Sequence, residues 1–159
     1  MKLNVGCGTK LLAEYINIDL YSKHPKVVCM DVSKLDFADD SCDEVLAEDI
    51  LEHFPRLKWK EVVAEWVRVI KLNGLLVLQF PDMRSLSKAL LDSQTPEQWE
   101  TFNRRIFGGQ GDGKDDGAGM FHYTGFSYDY LRWYLETKHG LKYNTHSFHN
   151  YNCTLVMKK

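Results

Sequence analysis

Residues 3–19, LNVGCGTKLLAEYINID, constrain this chain more than any other stretch. A short apolar run, Leu3 to Val5, leads into Gly6-Cys7-Gly8, and a second run, Tyr15 to Ile18, ends on Asp19. Two glycines around one residue let a backbone turn sharply where a strand ends, with no Cβ to hold a ligand away. A carboxylate at the end of the next strand is placed to accept hydrogen bonds from two ribose hydroxyls, as in nucleotide-binding α/β folds. Gly-x-Gly alone is equally an ordinary tight turn. The order strand, Gly-x-Gly, strand, Asp makes it a candidate site for an adenosine-bearing ligand.

The same stretch restricts that ligand. A dinucleotide fingerprint needs a third glycine and a helix whose N-terminus holds the pyrophosphate. The third glycine position is Leu11, and only Thr9 to Glu14 separate Gly8 from the next strand. A parallel crossover usually takes about a dozen residues or more, so the helix has no room. A ligand without phosphates fits better, and S-adenosylmethionine (SAM) is one. A nicotinamide oxidoreductase is disfavoured on the same grounds. The first connection is expected to be trimmed or irregular.

A chain of 159 residues has the size of one domain with one core, and 44% hydrophobic residues suffice to fill it. A net charge of −2 without a basic block argues against an electrostatic nucleic-acid binder. The cysteines, Cys7, Cys29, Cys42 and Cys153, form no C-x-x-C pair and no zinc-finger spacing; three have strand-like surroundings and read as buried free thiols of a reducing compartment. No apolar run reaches membrane-spanning length and no leader pattern opens the chain. A cytoplasmic protein is expected, with no membrane association.

Val27 to Met30 reads as a strand ending on Asp31, and Val45 to Ala47 as the centre of another, ending near Glu48 and Asp49. Nine acidic residues fall between Asp31 and Glu52, with only Lys34 opposing them. They read as a solvated rim or as a negative face suited to a cationic sulfonium. The run has no EF-hand spacing, so no metal ligand set is assigned. Leu57 to Lys71 is a helix with Trp59, Val62, Val63, Trp66, Val67 and Ile70 on one stripe, ended by Asn73-Gly74. Leu75 to Phe80 reads as a strand buried on both faces. Asp82 caps a short helix over Ser85 to Leu91, and Thr95-Pro96-Glu97-Gln98 starts another that fails at Gly108-Gly109.

Residues 108–119, GGQGDGKDDGAG, contain six glycines and three aspartates, too few apolar groups to hold themselves rigid. The segment is a surface loop or a glycine-hinged lid over the site. The aromatic run Met120-Phe121-His122-Tyr123 that follows favours docking onto something. Ser127 caps a last helix, and two strands joined by Asn150-Tyr151 suggest an antiparallel hairpin. The expected fold is α/β: a Rossmann-like open sheet, mostly parallel with a C-terminal antiparallel hairpin, with helices on both faces.

Four segments in order resemble the class I SAM-dependent methyltransferases, and within them the small group whose chain begins at the first motif. LNVGCG resembles the first motif and YINID the second strand with its ribose acid. CMDVSKLDF through DDSCDEVLAEDILEHF resembles the third and fourth motifs, and VRVIKLNGLLVLQFPD the leader helix and fifth strand. The resemblance covers about the first half of the chain, and the later GGQ and HYTGFSYDYLRWYL segments are similar to the same group. It implies a single methyltransferase domain over residues 1–159. Gly6, Cys7 and Gly8 would line the methionine side of SAM, Asp19 would hold the ribose, and Leu20 would lie beside the adenine. Asp31 would meet the adenine amino group, the Val32 backbone would flank the ring, and Ala47 and Glu48 would sit under the methionyl group. Departures are Asn4 for the usual acid, Lys10 for a glycine, and Leu72-Asn73-Gly74 for the Pro-Gly turn. An Asn4 amide can hydrogen-bond but adds no negative charge.

Methyl transfer from a sulfonium is an in-line displacement with a good leaving group, so placing the nucleophile about 3 Å from the methyl carbon does most of the work. A general base is needed only for an acceptor that must lose a proton; His53 and His122 are the candidates. No Asn-Pro-Pro-Tyr motif follows the fourth strand, which disfavours methylation of a base or glutamine amino group. The expected reaction moves a methyl group to a small molecule, a sugar precursor or a protein and leaves S-adenosyl-L-homocysteine (SAH). The other reading is a non-catalytic SAM-binding subunit or sensor. A homo-oligomer or a partner protein could complete the acceptor pocket.

Overall fold

A computed structural model describes residues 1–93, 95–109 and 121–159. Seven strands form one sheet in the order β3-β2-β1-β4-β5-β7-β6. β1 (Lys2–Val5), β2 (Ile16–Ile18), β3 (Val27–Val28), β4 (Cys42–Glu48) and β5 (Ile70–Pro81) pair in parallel. β6 (Lys142–His149) and β7 (Asn152–Lys158) form the expected hairpin, and β7 runs antiparallel beside β5. Asn150 and Tyr151 at its tip have φ of 47° and 68°, the two positive angles of a turn that follows the right-handed twist of paired strands. This is a Rossmann-like sheet whose strand order reverses between β1 and β4, where ligands of such sheets bind.

The first connection is short, and side chains do the work of the missing helix. Asn4 and Asn17 face each other on neighbouring strands and are both buried. Asn4 Nδ2 donates to Asn17 Oδ1 and to the Lys10 carbonyl, both at 2.9 Å. Asn17 in turn accepts from the Leu12 amide and donates to the Leu12 and Tyr15 carbonyls. Backbone groups that a helix would have paired internally are thereby satisfied.

α1 (Trp59–Val69) packs against β5 with the expected stripe buried. Trp59 meets Phe126 and Tyr134 edge-on at 5.2 and 4.6 Å, joining α1 to α4 (Tyr128–His139). Trp66 Nε1 donates to the Val32 carbonyl at 2.9 Å, and Arg68 reaches the Leu35 and Phe37 carbonyls, so α1 also holds the β3–β4 connection. The helix stops at Val69, not at Asn73-Gly74, because Ile70 is already extended (φ −75°, ψ 132°). Asn73, with φ 69°, instead lies inside β5, where the register with β4 shifts. Leu76, Leu78 and Phe80 are buried, while Leu75, Val77 and Gln79 are half-buried, so β5 is not sealed equally on both faces.

α2 (Met83–Leu91) takes its cap from Asp82, and α3 (Pro96–Phe107) begins with a complete Thr95–Gln98 capping box. Most of the glycine-rich segment expected at 108–119 lies outside the described residues; of it, Gly108 pairs with Phe121. All four cysteines are free, with Cys29 exposed and the others buried. Among the described residues no helix is long and apolar enough to cross a membrane.

Candidate functional site

The C-terminal ends of β1 to β4 open into a cavity of about 1010 Å³. Gly6 and Gly8 line it after β1, Asp19 and Leu20 after β2, Asp31 and Val32 after β3, and Asp49, Ile50 and His53 after β4. Gly6 is required there: its φ is 66°, and a Cβ would sit 2.5 Å from Ile50 Cγ1. Asp19 already organises the turn around it. One oxygen accepts from the Gly8 amide at 2.9 Å, the other from the Tyr21 and Ser22 amides at 2.8 and 2.9 Å. A carboxylate offers about four lone-pair sites, so one position stays open for a ligand hydroxyl. Asp31 similarly accepts from the Ser33 amide and hydroxyl.

Four other predicted residues stand off the cavity lining. Asn4 is committed to the first connection, as described above. Cys7 is buried, with its thiol directed at the Gly8 carbonyl; burial, then the charge of Asp19, push its pKa up. Ala47 is buried in β4, and Glu48 forms an ion pair with Lys10.

The acidic run does not form one negative face. Asp39 pairs with Arg68, Asp40 with Lys159, Asp43 with Lys71 and the N-terminal amine, and Glu44 with Lys2 and the Tyr15 hydroxyl. Asp49 accepts from Gln79 and Asn152. Its pKa is raised, chiefly by burial. The member that differs is Glu52, expected in the rim and found 2% exposed.

Glu52 and His53 share a 3₁₀ turn, Leu51–His53, directly after β4. The peptide of Glu52 receives the amides of Tyr123 and Thr124 at 2.8 and 3.2 Å, which brings the segment after Phe121 against the turn. His122 arrives with its ring 4.8 Å from that of His53, edge to face. His53 Nδ1 lies 3.0 Å from the Phe121 carbonyl, and His122 Nδ1 lies 2.9 Å from that of Arg105. His122 Nε2 faces Glu52 Oε1 at 4.0 Å. Burial holds His53 below the usual histidine range, and burial with the neighbouring His53 lowers His122 to about 4. Burial pushes Glu52 up to about 8. At neutral pH the three side chains are therefore largely uncharged, an arrangement able to take up or hand over a proton. The two predicted histidines meet, but only His53 lines the cavity. Glu52 was not singled out from the sequence; its signal, an acid beside a histidine after a strand, was hidden among eight other acids.

The methyltransferase domain family matches residues 3–78, from β1 into β5. A search of curated proteins finds no match to the sequence. Among solved structures, the PH0226 protein of Pyrococcus horikoshii OT3 is similar at TM-score 0.67 and 19% identity, covering 99% of this chain and 80% of that one. The 1,6-didemethyltoxoflavin-N1-methyltransferase of Burkholderia thailandensis, a structure with bound SAH, is similar at 0.66 and 14%, covering 99% and 70%. A chain of a Haloferax volcanii complex that contains the Trm112 methyltransferase activator is similar at 0.61 and 12%, covering 99% and 81%. At these identities the likeness carries the fold alone.

Proposed function

We propose, from the chain's place among the class I SAM-dependent methyltransferases, that it transfers the methyl group of SAM to a small molecule, a sugar precursor or a protein side chain. Residues 1–159 act as one catalytic domain in the cytoplasm. The observation that carries this reading is the cavity at the strand-order reversal, where Gly6, Gly8, Asp19, Leu20, Asp31 and Val32 come to one lining. Together they offer what a phosphate-free adenosyl ligand needs: a close backbone, a ribose acceptor and an adenine wall.

In this reading Asp19 holds the ribose through its open position, and Leu20, Asp31 and Val32 bracket the adenine. Gly6 to Gly8 take the methionine end. Asn4, Ala47 and Glu48 act from behind the lining, Asn4 by fixing the first connection and Glu48 by its pair with Lys10. The methyl group then faces the lining after β4, where His53 opens on the cavity with His122 and Glu52 behind it. An acceptor aligned there reacts by in-line displacement. Where it must lose a proton, a neutral imidazole of His53 or His122 receives it. A second copy or a partner protein completes the acceptor pocket, in keeping with the activator complex among the similar structures.

The test is calorimetric titration with SAM, SAH and NAD in parallel, followed by methyl-labelled SAM with acceptor mixtures. Micromolar binding of SAM and SAH, none of NAD, and label transfer are expected. NAD binding, or no binding of SAM and SAH, would overturn the cofactor assignment. Binding without transfer to any acceptor would favour a SAM-binding subunit.

A further inference from the structure

We infer that Glu52, His53 and His122 form a binding site for a divalent first-row transition cation, with Zn²⁺ as the type, behind the cavity lining at His53. The inference goes beyond methyl transfer and stands independently of it. Glu52 is 2% exposed, and neither carboxylate oxygen has a hydrogen-bond partner among the described residues. Buried polar atoms are nearly always partnered, so such a group signals something that belongs beside it. One donor atom from each of the three side chains lies within 4.8 Å of the other two.

The histidines are prepared as ligands. A carbonyl only accepts, so each Nδ1, 3.0 Å from Phe121 O and 2.9 Å from Arg105 O, carries the ring proton of the neutral imidazole, and the Nε2 of His122 faces Glu52 with its lone pair. Metal-binding histidines are oriented in this way by their second nitrogen. Two imidazoles and one carboxylate suit Zn²⁺ and its neighbours, whereas Mg²⁺ and Ca²⁺ prefer oxygen alone. Ligands roughly 2.0–2.1 Å from a tetrahedral ion stand roughly 3.3 Å apart. Glu52 Oε1 and His122 Nε2 are 4.0 Å apart, so side-chain rotation must draw the donors together. His53 lines the cavity and gives the ion its way in. A bound ion takes the lone pairs that the histidines otherwise offer to a proton, so ligand and base are exclusive roles.

Chelator-treated protein titrated with ZnCl₂ by calorimetry, and with Co²⁺ by visible absorption, tests the site. One equivalent is expected to bind, with nitrogen–oxygen Co²⁺ bands, and Glu52→Gln and His122→Ala should each weaken it by roughly tenfold or more. Absence of a tight site, or a site unchanged in both variants, overturns the inference. So does stabilisation by methylamine in place of Zn²⁺, which would reassign the cluster to an amine group. Should the variants fail to fold, diethyl pyrocarbonate mapping of the wild type replaces them: protection of His53 and His122 by Zn²⁺ supports the site, and its absence overturns it. SAH titrated into the same metal-free sample separates the two proposals. Bound SAH without Zn²⁺ binding sinks this one alone, and bound Zn²⁺ without SAH binding sinks the cofactor reading alone.

Discussion

The two walls of the cavity are built in opposite ways. The wall of Gly6, Gly8 and Asp19 is local: Asp19 reaches the amides of Gly8, Tyr21 and Ser22, none more than eleven residues away. The other wall is anchored at His53, with Glu52 and His122 behind the lining, and it is assembled from distant segments, its contact between His53 and Phe121 bridging 68 residues. Backbone groups shape the first, and side chains define the second. The local wall resists change because its geometry is part of the sheet. The distant wall depends on how the segment after Phe121 docks, and it can be altered without disturbing the sheet.

Gly6→Ala should break the local wall most severely. A Cβ 2.5 Å from Ile50 Cγ1 at φ 66° combines overpacking with left-handed strain, about 2–5 kcal/mol together. Urea unfolding should show that loss, and SAH titration should show no measurable binding. A variant of normal stability and affinity would mean the turn is not the tight point. Asp19→Ala removes an acceptor shared by the turn and the proposed ribose site. Charged hydrogen bonds of this kind are worth about 1.5–3 kcal/mol, so SAH affinity should fall roughly tenfold to a hundredfold while circular dichroism stays native. Unchanged affinity would remove the ribose assignment.

His122→Ala sharpens the contrast from the other side. SAH affinity should stay within about threefold, while the rate of methyl transfer falls roughly a hundredfold, the scale of a lost general base or ligand. A parallel loss of SAH binding would show that the walls are not separable. The smallest effect belongs to the thiols. Burial raises Cys153 to about 12, so at pH 8 it stays protonated and unreactive in the folded protein, whereas exposed Cys29 should react with iodoacetamide first. Mass spectrometry of labelled peptides checks the order, and early labelling of Cys153 would contradict its burial.

This contrast also explains what could be read without a structure. The glycine turn, the stripe of α1, the capping box of α3 and the C-terminal hairpin all depend on neighbours within one or two turns of chain, where side-chain period and turn chemistry decide the outcome. The helix end at Val69 was hidden because Asn73-Gly74 tolerates a left-handed backbone in a strand irregularity as readily as at a helix end. Asn4 read as a weakened ligand because its partner, Asn17, is visible only once β1 and β2 lie side by side. Glu52 read as rim because burial of a carboxylate leaves no local mark. His53 and His122 could be named singly as proton carriers, but their contact is a property of the fold.

The Asn4–Asn17 pair, introduced as a substitute for a helix, also bears on the heat of binding. Its hydrogen bonds settle residues 10–17, which join Thr9 and Asp19 of the lining, when the chain folds, so a ligand meeting that lining has little left to immobilise. Association should then carry a small entropic penalty, and a heat-capacity change no larger than the apolar area the ligand itself covers. Asn17→Ala would transfer the ordering to the moment of binding and make the binding entropy and the heat-capacity change both more negative.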